Sequence, residues 1–150
     1  MLNGSQVTDA SLTADELESL KNLPAQRIML QDVVKAACIA NNLKPRELFS
    51  MRRTKGLVDA RHEAMYLARE LTLASFPMIG RAFYRDHTSV LHGVRKVEKM
   101  LSNDEELSAR LKTMQKIVER IRDRRRQELE ENMFRKADTF EIRPAVMGLL

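Results

Sequence analysis

Residues 85–96 read RDHTSVLHGVRK and predict the start of an amphipathic α-helix. Its apolar positions recur at the spacing i, i+4, i+7 and i+11, which forms one stripe of a helix. These positions are Val90, Val94, Val97 and Leu101. Asp86 stands just before the stripe, where a carboxylate can cap the first turn. The sequence therefore predicts a helix that buries one face and leaves its N-terminal tip in water.

The polar positions of this helix carry the residue types that read DNA. Four short or flat hydrogen-bonding side chains form the first turn: Asp86, His87, Thr88 and Ser89. Basic side chains follow along the other faces: His92, Arg95, Lys96 and Lys99. A recognition helix reads base edges in the major groove with its N-terminal residues, while basic residues hold the phosphates. The pattern thus favours a recognition helix.

A shorter helix is predicted immediately before it, over residues 76–83. Pro77 favours this start, because proline suits the first turn of a helix. A short helix, a tight turn and a longer helix make a helix-turn-helix motif. Residues 76–101 are therefore a helix-turn-helix candidate.

Three runs in this region resemble a known family. They are AMYLARELT at residues 64–72, FPMIG at 76–80 and RDHTSVLH at 85–92. In their order and nearly in their spacing, they closely resemble the C-terminal DNA-binding domain of the bacterial replication initiator DnaA. The resemblance runs from about Ile28 to Leu101, roughly half of the chain. It implies an all-α, Trp-repressor-like helix-turn-helix fold that binds double-stranded DNA.

The resemblance also implies roles for individual residues. Arg53 matches an arginine that enters the minor groove, where a narrow A·T tract concentrates negative potential. Pro77 matches a proline that packs on a thymine methyl, and Asp86 matches an acceptor for a cytosine amino group. The residues expected to contact bases are Arg53, Pro77, Asp86, His87, Thr88 and Ser89. With the neighbouring basic residues, those expected to contact phosphates are Lys55, Arg61, Arg69, Arg85, His92, Arg95 and Lys96.

The sequence departs from the family at several positions. Ala60, His62 and Glu63 stand where the family often has a proline, a glutamine and an apolar residue. The turn over residues 83–86 is one residue shorter and contains no glycine. Since glycine is used where φ must be positive, this turn is expected to follow another path. Ser89 replaces the usual threonine, so the preferred DNA sequence is expected to differ from the family's.

The composition limits the class of protein. Of 150 residues, 43% are hydrophobic and 31% are charged, and five Gly and four Pro leave little room for the turns of an all-β fold. No apolar run approaches the length of a membrane span, about 18 residues, and no signal peptide is recognisable. A cytoplasmic, nucleoid-associated protein of a bacterium or phage is expected. The single cysteine, Cys38, is interpreted as a small core residue, with a reactive thiol as the alternative.

The positive charge is concentrated around the motif. Residues 51–100 hold ten Lys or Arg and five Asp or Glu, so their net charge of +5 equals that of the whole chain. A nucleic-acid-binding face produces such a concentration. A solvated surface can also produce it, so charge alone does not decide.

Periodicity divides the chain into four segments. They are an N-terminal extension over residues 1–25, the DNA-binding domain over 26–102, a long amphipathic helix over 103–134 and a tail over 135–150. The extension contains one short helix, which a capping box at Thr13 and Glu16 starts and Pro24 ends. Within the domain, helices are expected over 26–41, 45–49 and 59–73, with a basic loop over 50–56.

The long helix has a heptad seam at Leu107, Leu111, Met114, Val118 and Ile121. Steps of four and three residues are typical of a coiled coil. Two interpretations remain open. The seam packs on the domain's own surface, or it forms a homodimer through residues 107–121. The interleaved arginines and acids at 119–131 are interpreted as a solvated face rather than a second DNA contact.

No catalytic motif emerges from the sequence. His87 and His92 are five residues apart, the wrong spacing for two metal ligands on one helical face. Asp86, His87 and Ser89 are neighbours on one turn, so they cannot align as a Ser-His-Asp triad. No GxxxxGK[ST] loop for nucleotide phosphates occurs. We therefore expect no enzyme, cofactor, metal, nucleotide or membrane partner.

The sequence predicts a protein that binds double-stranded DNA at a DnaA-box-like site and regulates replication initiation or transcription. The alternative is a protein-interaction module that uses the C-terminal helix and tail, with a vestigial DNA-binding face.

Overall fold

The structure, a computed structural model, describes residues 13–15 and 26–147, with side chains through residue 138. Over these residues it contains α-helices and no β-strand, which confirms the all-α prediction. The helices are α1 Leu30–Asn41, α2 Pro45–Leu48, α3 Lys55–Leu71, α4 Phe76–Phe83, α5 His87–Leu101 and α6 Glu105–Met147. None of them is both long and apolar enough to cross a membrane.

The structure describes only two residues of the predicted N-terminal helix, and α1 begins later than predicted. Ala14 and Asp15 are helical, but the rest of the predicted N-terminal helix lies outside the described residues. Helix α1 begins at Leu30 rather than Gln26, because the Asp32 carboxylate accepts a hydrogen bond from the Met29 amide at 2.8 Å. The predicted break after α1 is confirmed, since Asn42 adopts the left-handed conformation at φ 51°.

Helix α3 begins earlier than predicted and shortens the basic loop to residues 50–54. Thr54 is extended and its carbonyl accepts from the Val58 amide at 3.0 Å, so the helix starts at Lys55 instead of Asp59. The helix ends at Leu71, where the Thr72 hydroxyl donates to the Ala68 carbonyl. Lys55 therefore belongs to the first turn of α3 and not to the loop.

The core contains apolar side chains from every helix. Its largest fully buried members include Phe83, Leu48, Ile79, Leu107, Met114, Val33, Val90 and Val94. Cys38 is also buried, and burial raises the pKa of its thiol. A thiol with a raised pKa is a poor nucleophile, so the interpretation of Cys38 as a core residue holds over the reactive alternative.

The seam of α6 packs within the chain. Leu107, Leu111, Met114 and Val118 are each at most 5% exposed and belong to the same buried cluster as α1 and α3. A coiled-coil homodimer through residues 107–121 would need the same surface, so the seam as described does not support one. The helix also continues to Met147, past the boundary predicted at residue 134. Residues 127–143 contain neither glycine nor proline, and Pro144 lies within its last turn.

Two ion pairs fasten α6 to the domain. The Asp32 carboxylate is completely buried and accepts from Arg125 Nη2 at 2.9 Å and from Nε at 3.2 Å. Glu63, 5% exposed, accepts from Arg110 Nη2 at 3.0 Å. The acidic residue at position 63, where the family has an apolar residue, is thus matched by an arginine of α6.

The turn of the helix-turn-helix is tighter than expected. Ser75 caps α4 by accepting from the Met78 amide, and Pro77 lies in the first turn as predicted. The helix ends at Tyr84, which adopts the left-handed conformation with φ 53°. The expectation that a turn without glycine avoids positive φ is therefore wrong. The Tyr84 ring contacts Phe49 edge to face at 5.4 Å, which helps offset a backbone cost of about 1 kcal/mol.

Gly80 lets the turn fold back onto α4. The Arg85 amide donates to the Gly80 carbonyl at 2.8 Å, and a Cβ added at Gly80 would lie 2.5 Å from the Arg85 carbonyl oxygen. Only a residue without a side chain fits here. The spacing between α4 and the start of α5 is set by this contact.

Replacing Arg125 with Ala should lower the free energy of unfolding by about 3–5 kcal/mol, because Asp32 would be left buried without its partner. Urea denaturation followed by circular dichroism measures this change. The matched control is Arg124→Ala, since Arg124 is 84% exposed in its pair with Glu128 and should contribute at most about 1 kcal/mol. Similar losses for the two variants would show that the buried pair does not anchor α6.

Replacing Gly80 with Ala should cost about 1–3 kcal/mol, because the new methyl meets the Arg85 carbonyl. The control is Gly56→Ala in the first turn of α3, where a Cβ meets nothing within 4 Å. That variant should gain about 0.5 kcal/mol from helix propensity. Thermal unfolding of both proteins tests the contact, which a neutral Gly80→Ala would contradict.

Candidate nucleic-acid interface

The first turn of α5 leaves its polar side chains in water. Asp86, His87, Thr88 and Ser89 are all exposed, while Val90 is buried beneath them. Asp86 occupies the N-cap position, but its side chain makes no capping bond to the backbone. It instead accepts from the Thr88 hydroxyl and lies 3.2 Å from His87 Nδ1. The predicted cap is thus correct in position and different in its bonding.

The carboxylate at this tip is held in its charged form. The hydrogen bond from Thr88 and the neighbouring His87 hold the pKa of Asp86 below its usual range. An ionised carboxylate only accepts hydrogen bonds. The tip therefore presents a fixed acceptor, with hydroxyls and an imidazole on either side.

A single open cavity of about 670 Å³ joins this tip to the basic loop and to α3. The predicted residues along it are Arg53, Arg61, Arg85, Asp86, Thr88, Ser89 and His92. Their positions in sequence span forty residues, and the fold brings them to one surface because α3 and α5 pack against each other. The predicted residues outside its lining are Lys55, Arg69, Pro77, His87, Arg95 and Lys96.

Exposed basic side chains lie in the loop and along the two helices that meet at the cavity. Arg53 lies in the basic loop, Lys55 in the first turn of α3, and His92, Arg95 and Lys96 along α5. Each of these five side chains is exposed. Positive charge therefore borders the tip of α5 on the loop side and along the helix.

Arg69 and Pro77 form a separate exposed patch at the start of α4. Arg69 donates to the Ala74 carbonyl at 3.3 Å, and its guanidinium lies 4.7 Å from the centre of the Phe76 ring. Pro77 is exposed on the first turn of α4. Of the two expected phosphate contacts on α3, Arg61 and Arg69, only Arg61 lines the cavity.

The expectation that Arg61 contacts phosphate needs correction. Arg61 is 4% exposed, and its guanidinium donates to the carbonyls of Leu48, Ser50 and Arg52, each at 2.6 Å. Burial and the nearby Arg85 lower the pKa of Arg61, although a guanidinium stays charged in a protein. These contacts use the donors that a phosphate would need, so Arg61 is a structural residue here.

Arg85 is also engaged with the loop. It is half-buried, and its guanidinium donates to the carbonyls of Ser50 and Tyr84 and lies 3.6 Å from Met51 Sδ. The guanidinium of Arg85 is therefore engaged by contacts within the chain.

Five residues that the sequence analysis did not predict also line the cavity: Met51, Val58, His62, Met65 and Tyr84. His62 packs on Gly93, where an added Cβ would lie 2.6 Å from its ring, and its centroid is 6.3 Å from that of His92. Its Nδ1 is buried and has no hydrogen-bond partner. Burial, Lys96 and His92 lower the pKa of His62, which keeps the ring neutral at pH 7. The departure from the family's glutamine was the only available signal.

The N-terminal end of α5 combines exposed hydrogen-bond acceptors and donors with nearby basic side chains. Residues of these types contact base edges and phosphates in protein–DNA complexes. Over the described residues no group of three or more His, Cys, Asp or Glu could hold a metal ion.

Comparison with known proteins agrees with this geometry. Residues 30–97 match the family described as the bacterial dnaA protein helix-turn-helix. The chain is 42% identical over 94 residues to the chromosomal replication initiator protein DnaA of Rhizobium meliloti, covering 62% of this chain and 20% of that protein. It is 38% identical over 116 residues to the protein of the same name from Rhodopseudomonas palustris strain BisA53, covering 77% of this chain and 24% of that protein.

The match is confined to part of those relatives, since the chain spans about a quarter of their length or less. A third relative, the DnaA protein of Nitrobacter hamburgensis, is 41% identical over 108 residues, or 71% of this chain and 23% of its own length. The matched region contains the helix-turn-helix and the basic loop described above. Residues 30–97 of this chain therefore form a domain that matches the bacterial dnaA protein helix-turn-helix family.

Proposed function

We propose that this chain binds double-stranded DNA with sequence specificity, at a site like a DnaA box. The observation that carries the proposal is the exposed tip of α5, where Asp86, Thr88 and Ser89 line one cavity with Arg53. The match of residues 30–97 to a DNA-binding family supports the same conclusion.

The tip of α5 enters the major groove in this proposal. Asp86 accepts from a cytosine amino group, since an ionised carboxylate is the natural partner of that donor. His87 and Thr88 contact base edges or thymine methyls, and Ser89 has one methyl fewer than threonine to offer. Pro77, exposed on α4 outside the cavity, packs against a thymine methyl beside the bases that the tip of α5 contacts.

The cations position the protein on the duplex. Arg53 extends from the basic loop into the adjacent minor groove, where a narrow A·T tract favours an arginine. Lys55, Arg69, Arg95 and Lys96 neutralise phosphates on both sides, together with the polar ring of His92. Phosphate contacts set the register, and base contacts select the sequence.

Site occupancy, rather than catalysis, is the activity in this proposal. A protein that occupies sites of this kind competes with an initiator at an origin or acts at a promoter, so it regulates replication initiation or transcription. It then resides on the nucleoid. Neither a nucleotide nor another cofactor is required, because every group invoked is a side chain of α3, α4, α5 or the loop.

A second candidate function is protein interaction through α6. Residues 127–138 are all exposed, and three large apolar side chains lie among them: Leu129, Met133 and Phe134. Exposed apolar clusters often mark interaction sites. In that case the DNA-facing surface would be vestigial, which the following measurements decide.

Duplex affinity should fall steeply as the salt concentration rises. If about five cations contact phosphates, the log–log slope is about −4 to −5. Fluorescence anisotropy with a labelled DnaA-box duplex, between low and physiological salt, measures the slope. A value near zero would contradict DNA binding and favour the interaction module.

Replacing Thr88 with Ala should relax sequence discrimination by about 1–3 kcal/mol per base pair. It removes one base-reading hydroxyl and the hydrogen bond that orients Asp86, while leaving every cation in place. The control is Lys96→Ala, which should weaken binding to specific and random duplexes equally. The base-reading role fails if Thr88→Ala also weakens both duplexes by the same factor.

A further inference from the structure

The basic loop, residues 50–54, is exposed but not free. Met51, Arg52 and Arg53 are exposed, and the loop has no regular hydrogen bonding of a helix. Its carbonyl groups instead accept hydrogen bonds from side chains outside the loop. What holds those carbonyls determines where Arg53 points.

Arg61 holds the loop from α3. Its Nη1 donates to the Arg52 carbonyl and its Nη2 to the Ser50 carbonyl, each at 2.6 Å. Its Nε donates at 2.6 Å to Leu48, the last residue of α2. One planar guanidinium thus ties α2, the loop and α3 together.

Arg85 holds the same loop from the helix-turn-helix. Its Nη2 donates to the Ser50 carbonyl, which is the group that Arg61 also contacts. Ser50 is fixed from a third side, because its hydroxyl donates to the Glu47 carbonyl at 2.7 Å. Two like charges converge on one carbonyl oxygen, and this arrangement links the loop directly to Arg85, which precedes the N-cap residue of the recognition helix.

We propose that Arg61 and Arg85 are positioning residues that clamp the basic loop, so that Arg53 is set at a fixed place relative to the tip of α5. The clamp rests on the proposed DNA binding for its purpose, although its contacts exist in the free protein. It orders the minor-groove arginine before the duplex arrives. Association then loses less conformational freedom than it would with a mobile loop.

The clamp also couples the two grooves. Arg85 immediately precedes Asp86, and Arg53 lies three residues after Ser50. The Ser50 carbonyl therefore connects, through its hydrogen bond with Arg85, the loop that carries Arg53 and the turn that carries Asp86. A protein that read the two with independent segments would need no such link.

A double-mutant cycle separates a clamp from a phosphate contact. The variants are Arg53→Ala, Arg61→Gln and the two combined, measured by anisotropy with a box duplex. A clamp acts through Arg53, so Arg61→Gln should weaken binding by about three- to tenfold, and the combined variant should match Arg53→Ala within about twofold. The control is Lys96→Ala. Because Lys96 acts independently of Arg53, the affinity loss of the Lys96→Ala, Arg53→Ala double variant should equal the product of the two single-variant losses.

The substitution Arg61→Lys gives an independent readout. A lysine keeps the charge but cannot bridge several carbonyls with a planar fork, so it should not restore the affinity that Arg61→Gln loses. Rescue by lysine, losses that multiply with Arg53→Ala, or a further drop of about 0.9 in the salt slope would each show a direct phosphate contact and overturn the clamp.

Limited trypsin digestion tests the loop without DNA. The Arg52 carbonyl belongs to the bond that trypsin cuts after Arg52, so Arg61→Gln should speed this cut by about tenfold through local opening. Cleavage after Lys136 in the exposed part of α6 is the internal control and should not change. An unchanged rate after Arg52 would overturn the clamp.

Two further outcomes are distinguishable. If Arg61→Gln does not fold, Arg85→Gln replaces it in the digestion and in the cycle, because Arg85 is only half-buried. If the wild-type protein shows no salt-dependent affinity for duplex DNA, the proposed function fails, and the digestion still decides whether the two arginines fix the loop.

Discussion

The fold depends on the close approach of α4 to the start of α5 at Gly80. This contact brings the Arg85 backbone against the α4 helix, and it leaves room for no side chain at position 80. With the turn fixed, the apolar stripe of α5 lies against α3 and the first turn of α5 faces water. A looser turn would let α5 rotate about its axis. The polar tip would then lose its relation to the loop and to α3, whatever side chains it carried.

Buried charged side chains hold separate elements of the fold together, and the residues next to them in sequence do not indicate this. Asp32 and Glu63 are buried carboxylates, and each is matched by an arginine of α6. Arg61 is a buried cation matched by carbonyls of the loop. A buried charge is tolerated only with such partners. Each pair therefore fixes one element against another with a directional contact, which apolar packing alone would leave free to slide.

The sequence predicted the helices and the tip of α5 well, because helical periodicity and capping residues are local signals. It also predicted Cys38 in the core. It could not supply partners that are distant in sequence: Asp32 and Arg125 are 93 residues apart, and nothing local marks them as a pair. The burial of Arg61 could not be predicted either, so an arginine in a basic region was interpreted as a phosphate contact. The positive φ of Tyr84 could not be predicted, because the ring contact that supports it involves Phe49, which is distant in sequence.

The exposed segment of α6 has a consequence for the shape of the molecule. Residues 127–138 extend for about 18 Å with every side chain exposed, so no tertiary packing protects their backbone hydrogen bonds. The ion pairs Arg124–Glu128 and Arg126–Glu130 lie at the start of this exposed segment. Ions in solution screen such exposed pairs. Ionic strength thus acts at two places in the molecule. It weakens the attraction of the basic surface around α5 for a polyanion, and it weakens the ion pairs that stiffen the exposed segment of α6.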